Sequence, residues 1–466
     1  MPEHILFLTG RLAEKSLHQV LQAMQPTPFT YAVHQLGLNV AGLMTADMIR
    51  RRLPVLHGAD RVIVPGRCRG DLEALSADYG VPFERGPEEL KDLPLFFGRA
   101  RVKTDLSQHD VRIFAEIVDA PRMQVDSVID TARRLRDWGA DVIDLGCLPE
   151  TPFPHLEQCV RALRAEGHRV SVDSIAADEL LRGGQAGADF LLSLKEDTLW
   201  IAQEVASIPV VIPAHPGDMA SLHRAMQALR SQDKPFIADP ILDPIHFGFA
   251  DSLVRYHTLR QAFPDVEIMM GTGNLSELTD ADTAGMHALL FGIISELGIR
   301  NVLTTQVSRH AQRAISEADA ARRLMHAAHR SHSLPRGFGD ALIALHERDP
   351  FPYTRDEIAE LAAAIKDPSF RIQVSEAGIH VYNREGLKTG HDPFKLFPDL
   401  NLEHDGGHAF YMGVELARAQ IAWQLGKRYV QDQALAWGCA TEAEAQDSKT
   451  YCAPGTTLGR VRGGQA

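Results

Sequence analysis

Short apolar runs alternate with amphipathic segments along the first hundred residues. The predicted strands are Ile5–Leu8, Phe29–His34 and Arg61–Val64, and the predicted helices are Leu12–Met24 and Leu43–Leu53. Alternation of strands and helices at these lengths predicts a small parallel α/β layer. The stretch from Glu84 to Arg99 is rich in Gly and Pro, and we expect it to leave this layer as an irregular segment.

A second, longer alternation begins at Val111. The predicted strands are Arg112–Val118, Ala140–Leu145, Arg169–Asp173, Phe190–Leu194, Pro209–Pro213, Phe236–Asp239, Glu267–Met270 and Asn301–Thr304. A helical pattern follows each of the first seven, and Glu317–His329 follows the last. Eight such units in about 220 residues predict a (β/α)8 TIM barrel. The alternative is an open doubly wound sheet, which seldom continues so regularly through eight units.

The sequence divides into four predicted regions. An N-terminal α/β domain covers residues 1–104, the barrel covers 105–330, a C-terminal α+β domain covers 331–440, and a polar, aperiodic tail covers 441–466. Residues 331–340 are rich in Pro and Gly and resemble a linker. The predicted elements of the C-terminal domain are the helices Arg355–Ile365 and His408–Leu425 and the strands Phe370–Val374 and Ile379–Tyr382.

Composition narrows the classes of function. The 466 residues contain 48 Lys and Arg against 61 Asp and Glu, a net charge of -13. An acidic balance argues against nucleic acid and anionic membranes as partners, because both require clustered cations. No apolar run approaches the roughly 20 residues that span a bilayer. Five widely spaced cysteines fit reduced thiols in a cytoplasmic protein. No metal site is predicted, because His404 and His408 have no evident third ligand.

Candidate chemistry lies where the predicted barrel strands end, since TIM-barrel sites are built there. Polar residues at or just after these ends are Asp119, Asp144, Asp173, Ser193, Lys195, Asp239 and Asn274. Carboxylates in this place could bind a metal, act in acid/base chemistry, or accept hydrogen bonds from an amino-substituted heterocycle. An Asp after a strand can also simply cap the next helix. That alternative is weaker for Asp144 and Asp173, which lie inside apolar segments.

Several segments resemble a pterin-binding barrel of the kind found in dihydropteroate synthase and folate-dependent methyltransferases. They are GADVIDLG (139–146), RVSVDS (169–174), GADFLLSL (187–194) and FIADP (236–240). With LTGRLAE (8–14), VPGRCRGDLE (64–73) and HAFYMGVELARAQIA (408–422), the likeness covers nearly the whole chain. In this layout the chain is similar to the dihydropteroate synthase-related proteins of methanogens and methylotrophic bacteria.

This resemblance implies a transferase of tetrahydromethanopterin biosynthesis. A ribofuranosylaminobenzene phosphate would displace the pyrophosphate of a hydroxymethyl-dihydropterin, with Mg²⁺ as the expected cofactor and a homodimer as the expected assembly. Asp239 would hold the amino edge of the pterin, Asp144 and Asp173 would lie near its other ring nitrogens, and Ser193 stands where the family has Asn. The expected catalytic residues are Asp119, Lys195 and Asn274, with Asn274 also on the pterin. The expected phosphate ligands are Arg67, Arg69 and Arg309.

The chain departs from dihydropteroate synthase where that family binds pyrophosphate. IVDAPRM, with Asp119, replaces the NVTPDSF loop, and LPETPFP has no counterpart of the Arg in STRPG. GTGNLSE, with Asn274, replaces the SRKS motif and its Lys, and is more similar to the methyltransferase branch. The alternative is therefore a pterin-binding, methyltransferase-like or accessory protein without condensation activity.

Overall fold

A computed structural model describes residues 2–87, 90–98 and 105–442 of the chain. The chain divides into two compact units, Met1–Asp110 with Arg323–Phe338 and Val111–Arg322 with Gly339–Ala466. Residues 323–338, which the sequence assigned to the barrel and the linker, group with the N-terminal unit. The predicted tail 441–466 lies outside the described residues apart from Thr441 and Glu442.

The N-terminal unit contains a four-stranded parallel sheet in the order β2-β1-β3-β4. The strands are β1 (His4–Thr9), β2 (Thr30–Gln35), β3 (Arg61–Val64) and β4 (Phe83–Arg85), and the helices are α1 (Arg11–Ala23), α2 (Ala46–Arg52), α3 (Leu72–Tyr79) and α4 (Leu93–Phe96). Both faces of β1 are buried, which explains its continuous apolar run. Ile5 and Phe7 pack in one apolar cluster, and Leu6 and Leu8 pack in another.

The expectation of an irregular segment from Glu84 was wrong at its start. Residues Val62, Ile63 and Val64 of β3 pair with the three residues of β4, and Phe83 is buried. A strand of three residues is too short to show a period in the sequence, so its pairing with β3 is what defines it.

Residues 112–304 form the predicted barrel, which closes by pairing of its eighth strand with its first. Its strands are β5 (Arg112–Ile117), β6 (Val142–Gly146), β7 (Arg169–Asp173), β8 (Phe190–Leu194), β9 (Ile208–Val211), β10 (Ile237–Ala238), β11 (Glu267–Gly271) and β12 (Asn301–Thr304). Its helices are α5 (Val125–Asp137), α6 (Leu156–Ala165), α7 (Ala177–Gln185), α8 (Ile201–Glu204), α9 (Met219–Arg230), α10 (Phe249–Ala262), α11 (Gly273–Ser276), α12 (Thr283–Glu296) and α13 (Ala314–Arg330). All eight strands are parallel, so their carboxyl ends meet at one mouth.

The barrel interior changes from apolar to polar toward its mouth. Phe114, Val142, Phe190, Ile237 and Met269 form one buried apolar cluster. Because side chains alternate across a strand, the residue two positions later points to the same interior. On three strands that next residue is an acid: Glu116 on β5, Asp144 on β6 and Asp239 after β10.

The C-terminal region carries a three-stranded antiparallel sheet covered by helices. Its elements are α14 (Arg355–Ala364), β13 (Arg371–Ser375), β14 (Gly378–Asn383), β15 (Gly386–Gly390), α15 (Pro393–Leu396) and α16 (Gly406–Leu425). Strand β15 was not predicted, because its sequence GLKTG is exposed and lacks alternation. Apolar side chains of α16, including Met412 and Leu416, pack in one cluster with Ile372 and Ile379 of the sheet.

Lys427, just after α16, is buried, although lysine side chains are mostly exposed. Its side chain is fully buried, donates from Nζ to the Ala344 carbonyl oxygen over 2.8 Å, and lies over the Trp437 ring at 4.6 Å. Lys427 therefore holds the end of this region together. Among the described residues, no helix has the length and apolar character to cross a membrane.

Candidate functional site

The first pair of acids in the mouth lies on neighbouring strands. Glu116 of β5 is the register partner of Asp144 of β6. Asp144 is fully buried, and its Oδ1 accepts a short hydrogen bond from the Ser171 hydroxyl of β7. Its other oxygen, Oδ2, has no hydrogen-bond partner among the described residues. A buried, unsatisfied carboxylate oxygen is costly, so a ligand that brings a donor would satisfy it.

Asp173 and Ser193 form a second pair at the ends of β7 and β8. The Ser193 hydroxyl donates to Asp173 Oδ1 over 2.7 Å. Ser193 has a φ of +73°, and the pairing of β8 with β9 shifts register between Leu191 and Leu194. Such an irregularity re-aims a side chain, and here it accompanies the contact of the hydroxyl with Asp173.

Asp239 follows β10 and is held from two directions. Its Oδ1 accepts from the Tyr256 hydroxyl of α10 and from the Ile241 backbone N–H, each over 2.7 Å. Ile241 has a φ of +64°, which is strained for a β-branched residue. Arg255 holds this strained turn, because its guanidinium donates to the Ile241 carbonyl oxygen (2.9 Å) and to Asp243 (2.5 Å). Strain of this kind clusters at functional sites.

The opposite side of the mouth is formed after β11 and β12. Asn274 of α11 donates from Nδ2 to the Leu242 carbonyl oxygen over 2.7 Å, which connects it to the loop after β10. Glu277 accepts hydrogen bonds from the backbone N–H groups of Val307 and Ser308, each over 2.8 Å. Glu277 therefore orders the loop after β12.

Burial and mutual repulsion raise the pKa values of the acids in the mouth. Burial raises the pKa of Glu116 to about 7, with further contributions from the charges of Asp173 and Glu277. Burial, followed by the charges of Asp173 and Glu116, raises the pKa of Asp144 well above its ordinary value. Burial also raises the pKa of Asp173. For Asp239, burial raises the pKa to about 6 while the Tyr256 and Ile241 hydrogen bonds oppose the rise. Glu116 and Asp239 therefore titrate well above the ordinary range of carboxyls, near pH 7 and pH 6.

Glu116 was not among the site residues predicted from the sequence. It lies inside β5, in RIFAEI, two residues after the core residue Phe114. The signal was present as an acid in an apolar strand, the same signal that singled out Asp144 and Asp173. Asp119, the predicted catalytic residue after this strand, is exposed and forms an ion pair with Arg122 at 3.4 Å.

The other predicted site residues are dispersed. Lys195 is half-buried just after β8, and Arg309 is exposed in the loop after β12. Arg67 and Arg69 are exposed after β3 in the N-terminal unit, where the Arg69 backbone bonds to Met44 and Ala46. Phosphate binding by Arg67, Arg69 and Arg309 and a catalytic role of Lys195 stay predictions. Nor does the part of the chain that the structure describes contain a group of three or more His, Cys, Asp or Glu side chains placed to hold a metal ion.

The rim of the mouth carries exposed apolar side chains beside charged ones such as Asp119 and Arg309. Large exposed side chains in the loops at this end of the barrel are Ile175, Trp200, Phe247, Leu278 and Val307. Phe247 has 81% of its surface exposed. Apolar side chains around polar, buried acceptors are the usual composition of a small-molecule site.

Comparison with known proteins gives matches over different parts of the chain. DUF6513, a family of unknown function, matches residues 3–88. An uncharacterized protein of Methanocaldococcus jannaschii is 25% identical over 92% of this chain and 98% of its own length. A dihydropteroate synthase from Yersinia pestis, solved with a pterine-sulfa conjugate, is 16% identical with a TM-score of 0.38, over 49% of this chain and 95% of that one. The dihydropteroate synthase of Thermus thermophilus is 20% identical with a TM-score of 0.37, over 48% of this chain and 95% of that one.

Proposed function

We propose that the barrel mouth binds a reduced pterin. The observation that carries this proposal is a set of three acids with hydroxyl and N–H partners: buried ones on β6 and after β10, and a half-buried one at the end of β7. No ion pair with Lys or Arg to Asp144, Asp173 or Asp239 occurs among the described residues. Carboxylates that have no ion pair suit a planar heterocycle with adjacent N–H donors, because two parallel N–H groups on one edge match the two oxygens of a carboxylate. Asp239 would hold the amino edge, with Asp144 and Asp173 on the remaining ring nitrogens.

The proposed reaction is the dihydropteroate synthase-like condensation of tetrahydromethanopterin biosynthesis. The amino nitrogen of a ribofuranosylaminobenzene phosphate would form a bond to the exocyclic methylene of the pterin. The C–O bond to pyrophosphate would break, pyrophosphate would leave with the electron pair, and the nitrogen would lose a proton. The exposed apolar side chains of the rim, such as Phe247, offer a surface for the aromatic ring of the arylamine.

Pyrophosphate must meet positive charge in this scheme. Lys195 in the loop after β8 and Arg309 in the loop after β12 are cations placed to supply it. We propose Mg²⁺ only as an ion that enters with the pyrophosphate, since Mg²⁺ commonly binds through substrate phosphates and few carboxylates. A homodimer and a cytoplasmic location also remain proposals.

A second candidate is a methyltransferase-like or accessory pterin-binding protein without condensation activity. The observation that favours it is the acidic lining of the mouth, where Glu116 and Glu277 lie near the three Asp residues. An acidic lining opposes the approach of a pyrophosphate, whereas a pterin without phosphate meets no such penalty.

Pyrophosphate release separates the two candidates. The full-length protein would be incubated with hydroxymethyl-dihydropterin pyrophosphate and the arylamine phosphate, with and without Mg²⁺. The condensation predicts stoichiometric release of pyrophosphate that requires both substrates. Pterin binding without any release would contradict the condensation and support the second candidate.

A further inference from the structure

Glu116 has a place in the barrel that the pterin contacts proposed above do not use. It is half-buried on β5 and lies beside Gly146 of β6. A Cβ atom on Gly146 would lie only 2.5 Å from Glu116 Oε1. Gly146 therefore provides the space into which the Glu116 carboxyl extends.

The Glu116 carboxyl is not engaged by the protein. Among the residues that the structure describes, no hydrogen bond or ion pair reaches it, in contrast to Glu277, whose oxygens accept from two backbone N–H groups over 2.8 Å each. The adjacent Asp144 Oδ2 is buried and also lacks a partner. Acceptor oxygens on two neighbouring strands are thus left for an occupant of the mouth.

We infer that Glu116 and Asp144 Oδ2 together contact the ligand, through an edge of the ligand that carries two N–H donors or a positive charge. This inference rests on the proposed pterin function and adds a specificity-determining residue to it. A neutral or cationic donor edge would be accepted, and a negatively charged group on this side would be rejected, because the ionised carboxylates accept hydrogen bonds and repel negative charge.

Ligand binding at Glu116 should release a proton. The groups that face Glu116 are acidic: Asp144 on β6, Asp173 on β7 and Glu277 after α11. Burial and these charges keep a proton on part of the Glu116 population at neutral pH, because its pKa is raised to about 7. N–H donors stabilise the carboxylate and lower that pKa, so binding should release the proton. Affinity should then fall as the pH is lowered below about 7, by up to about tenfold per pH unit.

Calorimetric titration with hydroxymethyl-dihydropterin tests this inference in the full-length protein. Titrations at one pH in two buffers of different ionisation enthalpy count the protons released, and a series above and below neutral pH gives the affinity profile. Wild type should release protons and bind more weakly at lower pH. Glu116→Gln should bind at least about tenfold more weakly at neutral pH and release fewer protons than wild type, because the Glu116 proton is missing while Asp144 and Asp239 can still release theirs.

Two further variants make the result specific. Glu150→Gln removes an exposed carboxylate just after β6 and should leave affinity and proton release unchanged. Glu116→Asp keeps the charge with a shorter reach and should restore proton release at intermediate affinity. If wild type binds no pterin, the proposed function fails. If wild type binds and Glu116→Gln matches it in affinity and proton release, only this inference is overturned.

Discussion

Tyr256 donates its hydroxyl hydrogen to Asp239 Oδ1 over 2.7 Å, and both side chains are buried. Tyr256 lies on α10, the helix that follows Asp239 along the chain. The hydroxyl favours the charged carboxylate and opposes the effect of burial on the pKa of Asp239. One helix residue thus adjusts the charge of the acid that we propose for the amino edge of the pterin.

Tyr256→Phe should raise the pKa of Asp239 above about 6 and destabilise the protein. The lost donor leaves a buried carboxylate with one partner fewer, at a cost of roughly 1–3 kcal/mol. Urea unfolding measures the stability loss. Tyr353→Phe, at an exposed tyrosine, is the matched control and should stay within about 0.5 kcal/mol of wild type. Equal stability of the two variants would contradict the role of the hydroxyl.

Asp239→Asn should weaken pterin binding by about 2–4 kcal/mol, because the amide can place a donor against a donor of the ligand. Calorimetric titration with a dihydropterin measures the loss, and the circular dichroism spectrum checks that the variant folds. Undiminished affinity of a folded variant would remove Asp239 from the proposed pterin contacts.

The stability of the free protein should fall as the pH rises from about 5 to about 7.5. A Glu116 pKa raised from 4.5 to about 7 means that the folded state holds its proton more tightly than the unfolded state. The resulting stabilisation is complete below the unfolded pKa and is lost as the pH rises through about 7. Glu116→Gln should therefore reduce the fall by roughly 2 kcal/mol, measured by urea unfolding at the two pH values. An identical fall in the variant would show that the Glu116 carboxyl is not the titrating group.

Gly146→Ala should destabilise the barrel more in wild type than in a Glu116→Ala background. The added Cβ would meet the Glu116 carboxyl at 2.5 Å, and the second substitution removes that carboxyl. A double-mutant cycle by thermal unfolding should give a coupling of about 0.5–3 kcal/mol. Strict additivity would mean that the two residues do not compete for this space. In the Glu116→Ala background the added Cβ would still lie 3.3 Å from the Val118 Cα, so Gly146→Ala should keep a smaller destabilising effect there.

Arg322→Ala should cost about 3–5 kcal/mol of stability. Arg322 is buried on α13, binds Asp141 and Asp319, and donates to the carbonyl oxygens of Val111 and Gly139. Its removal takes the guanidinium away from two half-buried carboxylates and two backbone carbonyl oxygens.

The matched control for Arg322→Ala is Arg161→Ala, which changes an exposed arginine of α6 and should cost less than about 0.5 kcal/mol. Chemical denaturation compares both variants with wild type. A similar, small cost for both would contradict the role of Arg322 at the base of the barrel.

The sequence by itself determined the barrel. Strands β7, β8 and β12 have the predicted bounds Arg169–Asp173, Phe190–Leu194 and Asn301–Thr304. Buried parallel strands need continuous apolar runs, and the helices between them need one apolar face. Both patterns can be recognised in the local sequence. The same reasoning places Asp144 and Asp173 in the barrel interior, because an acid inside a strand of buried apolar residues lies among them.

Only the tertiary structure decided which polar groups meet. Ser171 and Asp144 lie 27 residues apart, and Tyr256 and Asp239 lie 17 apart; their contacts depend on strand register and helix packing. Strand β4 and the burial of Lys427 likewise follow from partners that local sequence does not contain. Closure of the barrel turns the position two residues after Phe114, which is Glu116, into the mouth. The loop that follows the strand stays in solvent, so Asp119 is exposed.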